Sequence, residues 1–120
     1  MIGSISIFHS LTLLLFLVLQ PAPRVVKVQA ERFDFTPSRI AVAAGETIEI
    51  RLTSDDTAHG FKIAGTDIDV EIPKRGRGEV IVHFTADGEG PWRFECSRMC
   101  GAGHHFMRGE IIVKDGKATR

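Results

Sequence analysis

Apolar and polar residues alternate along most of the chain from Val25 onward, in short segments separated by turn residues. The clearest case is residues 47–53, where Ile48, Ile50 and Leu52 occupy every second position between polar or charged residues. Because successive side chains of a strand point to opposite faces, this pattern predicts a β-strand with one buried face. The same reasoning predicts further extended segments at residues 25–30, 33–42, 59–63, 68–72, 79–85, 92–96 and 110–114.

Turn residues separate these segments, and the longest such stretch, residues 73–78, is rich in Gly and basic side chains. No stretch after residue 22 has the length and periodicity of an ordinary helix, and we find no internal repeat. About seven short strands in one domain's length of chain predict an all-β fold, an antiparallel Greek-key sandwich or barrel. Loops at one end of such a rigid fold are well suited to hold a functional site.

The first 22 residues have a different composition from the rest. They contain no Lys, Arg, Asp or Glu, and residues 7–19 are almost wholly apolar. This pattern predicts an N-terminal hydrophobic segment at residues 1–22, either a cleaved signal peptide or a membrane anchor, before a folded domain at residues 24–120. We therefore expect an exported protein, periplasmic or on the outer face of the cytoplasmic membrane, that contacts the membrane if the segment is retained.

The charged residues are balanced. All fifteen basic and all fifteen acidic residues fall at or after Arg24, so the predicted domain is formally neutral. A nucleic-acid-binding domain carries a concentrated positive charge. We expect no nucleic-acid partner.

Residues 96–107 concentrate side chains that bind soft metals. This stretch contains both cysteines, two of the five histidines and two of the three methionines. Thiolate, imidazole and thioether groups suit copper, whereas magnesium and calcium prefer oxygen. The spacing is Cys96-x3-Cys100-x3-His104-x2-Met107, and His59 begins a separate predicted strand that can supply a distant, rigidly held ligand.

The residues leave several kinds of site open. His59, Cys100, His104 and Met107 alone are the two-His, one-Cys, axial-Met set of a mononuclear blue copper site, with Cys96 as a spare core thiol. A disulfide between the cysteines is common in exported proteins. Zinc accepts two Cys and two His, although it leaves Met107 without a role.

Other side chains near these candidates have weaker claims. His105 is either a solvent-facing neighbour of His104 or a competing ligand, and His83 alternates outward on its predicted strand. Met99 is predicted to pack rather than to bind metal. The nearby basic residues are Arg93, Arg98 and Arg108, and they predict a basic rim around the site.

His59 together with Cys96-x3-Cys100-x3-His104-x2-Met107 resembles the binuclear copper A site of cytochrome c oxidase subunit II and nitrous-oxide reductase, members of the cupredoxin superfamily. Further segments that resemble small cupredoxin domains are residues 31–37, 44–46, 59–61 and 100–104. The resemblance covers nearly everything after the N-terminal segment and implies a cupredoxin-like Greek-key fold.

The resemblance also implies specific roles. Cys96 and Cys100 would bridge two copper ions, and His59 and His104 would each cap one. The weak ligands that it implies are Met107 and the backbone carbonyl of Arg98. The alternative blue-copper site would hold one copper ion.

The function implied is electron transfer without a catalytic site of the chain's own. Such a protein would feed or form the electron-entry subunit of a membrane oxidase, with a c-type cytochrome or a small copper protein as its redox partner. The alternatives are a mononuclear blue-copper carrier and a periplasmic protein that stores or delivers copper.

Overall fold

The computed structural model describes residues 3, 14, 15 and 22–114. The predicted N-terminal segment, residues 1–22, lies almost wholly outside the described residues, as does the tail at 115–120. No helix among the described residues has the length and apolar character needed to span a membrane.

The described part of the chain is built from strands, as predicted. They are β1 (Arg24–Glu31), β2 (Asp34–Thr36), β3 (Arg39–Ala43), β4 (Thr47–Ser54), β5 (His59–Ile63), β6 (Asp69–Ile72), β7 (Val80–Thr85), β8 (Trp92–Glu95) and β9 (Arg108–Lys114). The helical content between residues 22 and 114 is one 3₁₀ turn, His104–Phe106, between β8 and β9. The all-β prediction is confirmed.

The strands form two sheets, with the orders β2-β1-β4-β7 and β3-β9-β8-β5-β6. The prediction of a purely antiparallel fold is wrong, because β1 pairs with β4 and β3 pairs with β9 in parallel. The single extended segment predicted at 33–42 is two strands that belong to different sheets. Pro37 lies between them and has no N–H group to continue a ladder. This change of sheet makes the parallel pairs possible.

The core lies between the two sheets and follows the predicted alternation. Ile48, Ile50 and Leu52 of β4 are completely buried. From the other strands, the rings of Phe35, Phe61 and Phe94 pack together with centroids 5.1–5.7 Å apart. Since side chains two positions apart share a strand face, the aromatic core continues directly to the side chains at the ends of β5 and β8.

Candidate metal centre

The pairing of β5 with β8 brings the distant histidine to the cysteine loop. The strands are antiparallel, and Lys62 lies opposite Glu95. The first residue of β5, His59, therefore lies at the same end of the sheet as Cys96, which directly follows β8. Both side chains are buried, as expected from the core-facing positions two residues from Phe61 and Phe94.

The structure brings all six predicted donors together. The two Sγ atoms of Cys96 and Cys100 are 3.5 Å apart. His59 Nδ1 lies 3.9 Å from Cys96 Sγ, and His104 Nδ1 lies 3.6 Å from Cys100 Sγ. The remaining contacts are from Met107 Sδ to Cys100 Sγ, 3.8 Å, and from the Arg98 carbonyl oxygen to Cys96 Sγ, 3.0 Å.

The cluster is sheltered from solvent. His59 is fully buried, and Cys96, Cys100 and Met107 are each no more than 5% exposed. His104 is half-buried and closes the cluster on the solvent side. Donor atoms of His59, Cys96 and Cys100 lie within 4.8 Å of one another, which is compact enough to hold a metal.

Both cysteines are free thiols in the structure. Burial raises the pKa of the Cys100 thiol to about 11, and the neighbouring Cys96 adds to the increase while the positive charge of Arg32 opposes it. A metal must therefore displace protons from buried thiols when it binds, because thiolate is the ligating form.

Asp56 fixes the orientation of His59. The Nε2 atom of His59 lies 2.6 Å from Asp56 Oδ1. An ionised carboxylate only accepts hydrogen bonds, so Nε2 carries the proton and Nδ1 presents its lone pair toward Cys96. This is the tautomer that a metal ligand requires at this position.

Asp56 is itself held in its ionised form. Burial alone would raise the pKa of its carboxyl group, but hydrogen bonds from the Arg32 amide, the His59 ring and the Thr57 amide outweigh burial and lower the pKa below its usual 3.8. The Arg32 amide donates to Oδ2 at 2.8 Å and the Thr57 amide to Oδ1 at 2.7 Å. The loop that connects β4 to β5 is thus organised around this carboxylate.

The ligand loop, residues 96–107, is closed on itself and pressed against β5. The Cys96 amide donates to the Met107 carbonyl at 3.0 Å, which joins the two ends of the loop. A Cβ atom on Gly60 would lie 2.2 Å from Ser97 Oγ and 2.7 Å from the Arg98 nitrogen. Only glycine at this position allows the loop to approach the strand so closely.

The other sequence candidates lie at the margin of the cluster. His105 is exposed, and His104 is the histidine that faces the cysteines. His83 is exposed as predicted and contacts Glu49 at 3.3 Å. The prediction that Met99 packs is wrong, since 76% of its side chain is exposed. Its position in the loop turns it outward.

Sequence reasoning missed Asp56 and Arg32, which both support the cluster. Asp56 stands three residues before His59, a spacing that a search for residues supporting a metal-bound histidine could have used. Arg32 donates from Nε to the Cys100 carbonyl at 2.9 Å, across 68 positions of sequence. No local pattern marks such a contact.

Comparison with known proteins places this geometry in a family. Residues 5–113 match the family described as Cupredoxin-like domain. Cytochrome c oxidase subunit 2 of Thermus thermophilus is 40% identical over 101 residues, which cover 82% of this chain and 73% of that protein. The same subunit from a second strain of that species is also 40% identical over 101 residues, and the match spans 58% of its length.

A solved structure shows the same fold. The periplasmic domain of subunit II of cytochrome oxidase (CoxB) from Bradyrhizobium japonicum superposes with a TM-score of 0.70 at 19% identity. The match covers 82% of this chain and 88% of that domain.

Proposed function

This chain belongs to the cupredoxin-like family and is a relative of cytochrome c oxidase subunit 2, and from that premise we propose that it transfers electrons through a binuclear copper A-like centre. The observation that carries the proposal is the pair of buried thiols, 3.5 Å apart, each with an imidazole Nδ1 within 4 Å. A single-metal site leaves one of these thiols without a function. A two-metal site uses both.

The donors fit copper by their chemistry. Two thiols, two imidazoles and a thioether form a soft set of the kind that copper binds. Zinc is satisfied by the four Cys and His side chains, but it gives no role to the Met107 sulfur, which is buried and 3.8 Å from Cys100 Sγ. The position of Met107 therefore favours copper.

The protein supplies rigidity and a dry environment. Bound copper would accept and release one electron at a time, with the charge shared through the two thiolates. Asp56 keeps His59 in one tautomer, and the bond between the Cys96 amide and the Met107 carbonyl keeps the loop closed. Donors held in this way change position little when the charge changes, so the reorganisation cost of electron transfer stays low.

We propose a role in electron entry rather than catalysis. Six donors surround the proposed centre, so the arrangement offers no open position for a substrate, which a catalytic metal keeps. As a relative of an oxidase subunit, the chain would pass its electron to a membrane oxidase. A c-type cytochrome or a small copper protein would supply the electron at the outer face of the cytoplasmic membrane.

Copper counting on matched variants tests the proposal. The full chain should bind two copper ions, and Cys96→Ser should lose the binuclear centre. Ser97→Ala, which removes only an exposed hydrogen bond to Asp69, should still bind two. A wild-type chain that holds one copper, and keeps it unchanged in Cys96→Ser, would contradict the binuclear site and support a blue-copper site.

Reduction kinetics separate a carrier from a copper store. A carrier should be reduced by a c-type cytochrome and reoxidised repeatedly while its copper content stays constant. Transfer of copper to a chelator or an acceptor apoprotein faster than electron exchange would instead indicate storage or delivery.

A further inference from the structure

Arg32 contacts both halves of the proposed centre. It lies in the short connection between β1 and β2. Its amide donates to Asp56 Oδ2 at 2.8 Å, while the other oxygen of Asp56 holds His59. Its side chain reaches the opposite half, where Nε donates to the Cys100 carbonyl at 2.9 Å. One residue thus connects the distant histidine with the ligand loop.

The loop rests on this connection over several residues. A Cβ atom on Gly101 would lie 2.9 Å from the Phe33 ring and 3.6 Å from Arg32 Nε. At Gly103 the ring would be only 2.4 Å away. The segment from Cys100 to Gly103 therefore has no free space to shift toward Arg32 and Phe33, and the hydrogen bond to the Cys100 carbonyl is held at a defined position.

The charge of Arg32 is not neutralised by a carboxylate. Among residues 22–114 its guanidinium forms no salt bridge, and the acceptor at Cys100 is an uncharged carbonyl. Asp56 receives only the backbone amide of Arg32. Since an arginine side chain stays protonated at any ordinary pH, a fixed positive charge lies beside one of the two cysteines.

We propose that the Arg32 guanidinium is a positioning residue that anchors Cys100 and raises the reduction potential of the copper centre. The inference rests on the proposed function, because it concerns the metal held by that cysteine. A nearby positive charge favours the reduced centre, which carries one more electron than the oxidised one. For a partly solvated charge at this range, we expect the one-electron equilibrium to change about tenfold, equivalent to about 59 mV.

Variants of the full, copper-loaded chain test the inference by redox potentiometry. Arg32→Gln removes the charge and should lower the potential by about 59 mV, the tenfold change above. Arg32→Lys keeps a positive charge and should lose less than half of that. The control is Arg24→Gln, which removes the same charge from the opposite end of β1 and should leave the potential unchanged.

Three results would overturn the inference. They are an Arg32→Gln potential equal to wild type, an Arg24→Gln potential that falls equally, and an Arg32→Lys potential that falls as far as that of Arg32→Gln. If Arg32→Gln cannot be loaded with copper, Arg32→Lys decides: a potential near wild type supports the role of charge, and a full tenfold loss overturns it.

Failure of the proposed function remains distinguishable. A wild-type chain that binds one copper contradicts the binuclear site, but Cys100 and His59 hold copper in either kind of site. The potentials of the four proteins can then still be compared, and they decide the role of Arg32 separately.

Discussion

The contact between Asp56 and His59 shows how single residues prepare the site before any metal binds. At 2.6 Å from the carboxylate, the ring of His59 is fixed both in orientation and in tautomer. The carboxylate is held in turn by two backbone amides. Removing its charge should therefore disturb metal binding although Asp56 lies outside the proposed ligand set.

Asp56→Asn should weaken copper binding about 10- to 100-fold, the usual effect of losing a group that orients a ligand. The asparagine amide can direct its N–H group at Nε2 and thereby favour the wrong tautomer of His59. Competition with a copper(I) chelator measures the affinity. The neighbouring Asp55→Asn, which touches only the exposed Arg75, is the control. Equal affinities in the two variants would show that the Asp56 contact is not needed.

The pKa of Cys100 predicts how stability of the metal-free domain depends on pH. The value of about 11 lies above the ordinary 9.0, so the folded state favours the protonated thiol. This contribution to stability is complete below about pH 9 and is lost as the pH rises through about 11. The urea midpoint should fall over that interval, and the fall should be much smaller in Cys100→Ser. Identical pH profiles would exclude Cys100 as the cause.

At this scale the sequence predicts the donors better than their support. The spacing of Cys96, Cys100 and His104 is local, so it can be recognised in the sequence. Arg32 reaches Cys100 across 68 positions through a single hydrogen bond, and only the folded chain reveals it. The prediction for Met99 fails because a loop has no periodicity from which exposure can be inferred.

Among the elements, β5 and β8 determine where the cluster forms. Their antiparallel register brings His59 beside the residues that follow β8, and the aromatic core under them leaves little freedom. The ligand loop then lies directly on Gly60, where an added Cβ atom would meet the Arg98 nitrogen at 2.7 Å. Precise contact between strand and loop is therefore necessary for the site.

Gly60→Ala should destabilise the domain by about 1–3 kcal/mol, because the added methyl group has no room beside the loop. It should also weaken copper binding, since Cys96 moves with the loop. Gly65→Ala is the control: its φ is +78° but nothing lies within 4 Å, so it should cost about 1 kcal/mol and leave copper affinity unchanged. Urea unfolding and copper titration measure both effects. Unchanged copper affinity in Gly60→Ala would contradict this account of the contact.

The strands themselves are largely predictable because alternation reports which positions face the core. Alternation does not report which strand pairs with which, or in which direction. For this reason the sequence predicts one segment at residues 33–42 and misses the parallel pairs β1–β4 and β3–β9. Their arrangement depends on contacts between distant parts of the chain.

Considered as a whole molecule, the domain presents the cluster at one end with apolar side chains beside it. Met99 and Phe106 are 76% and 77% exposed, and both belong to the ligand loop. Arg98 and Arg108 flank them and are exposed as well. An apolar surface with a charged rim next to a redox centre is suited to brief contact with a partner protein.

Phe106→Ser should slow reduction by a c-type cytochrome about tenfold, since an exposed aromatic side chain at the centre of an interface often contributes at least about 1 kcal/mol. The potential and the stability should change little. Ile81→Ser, at an exposed position on β7, is the control. Stopped-flow reduction measures the rates. If the rates agree, Phe106 lies outside the contact surface.

Export, membrane attachment and the identity of the redox partners stay predictions. The N-terminal segment on which export and attachment depend lies almost wholly outside the described residues. Partner choice depends on a second surface, which no feature of one chain specifies completely. Fold and family follow from the chain itself, because alternation and ligand spacing are properties of its own residues.

Electron paramagnetic resonance of the oxidised, copper-loaded chain tests the central claim most directly. Two thiolate-bridged copper ions that share one unpaired electron should give a hyperfine pattern with equal coupling to both nuclei, together with two copper ions per chain. A pattern from a single copper nucleus with one copper ion per chain would contradict the binuclear centre.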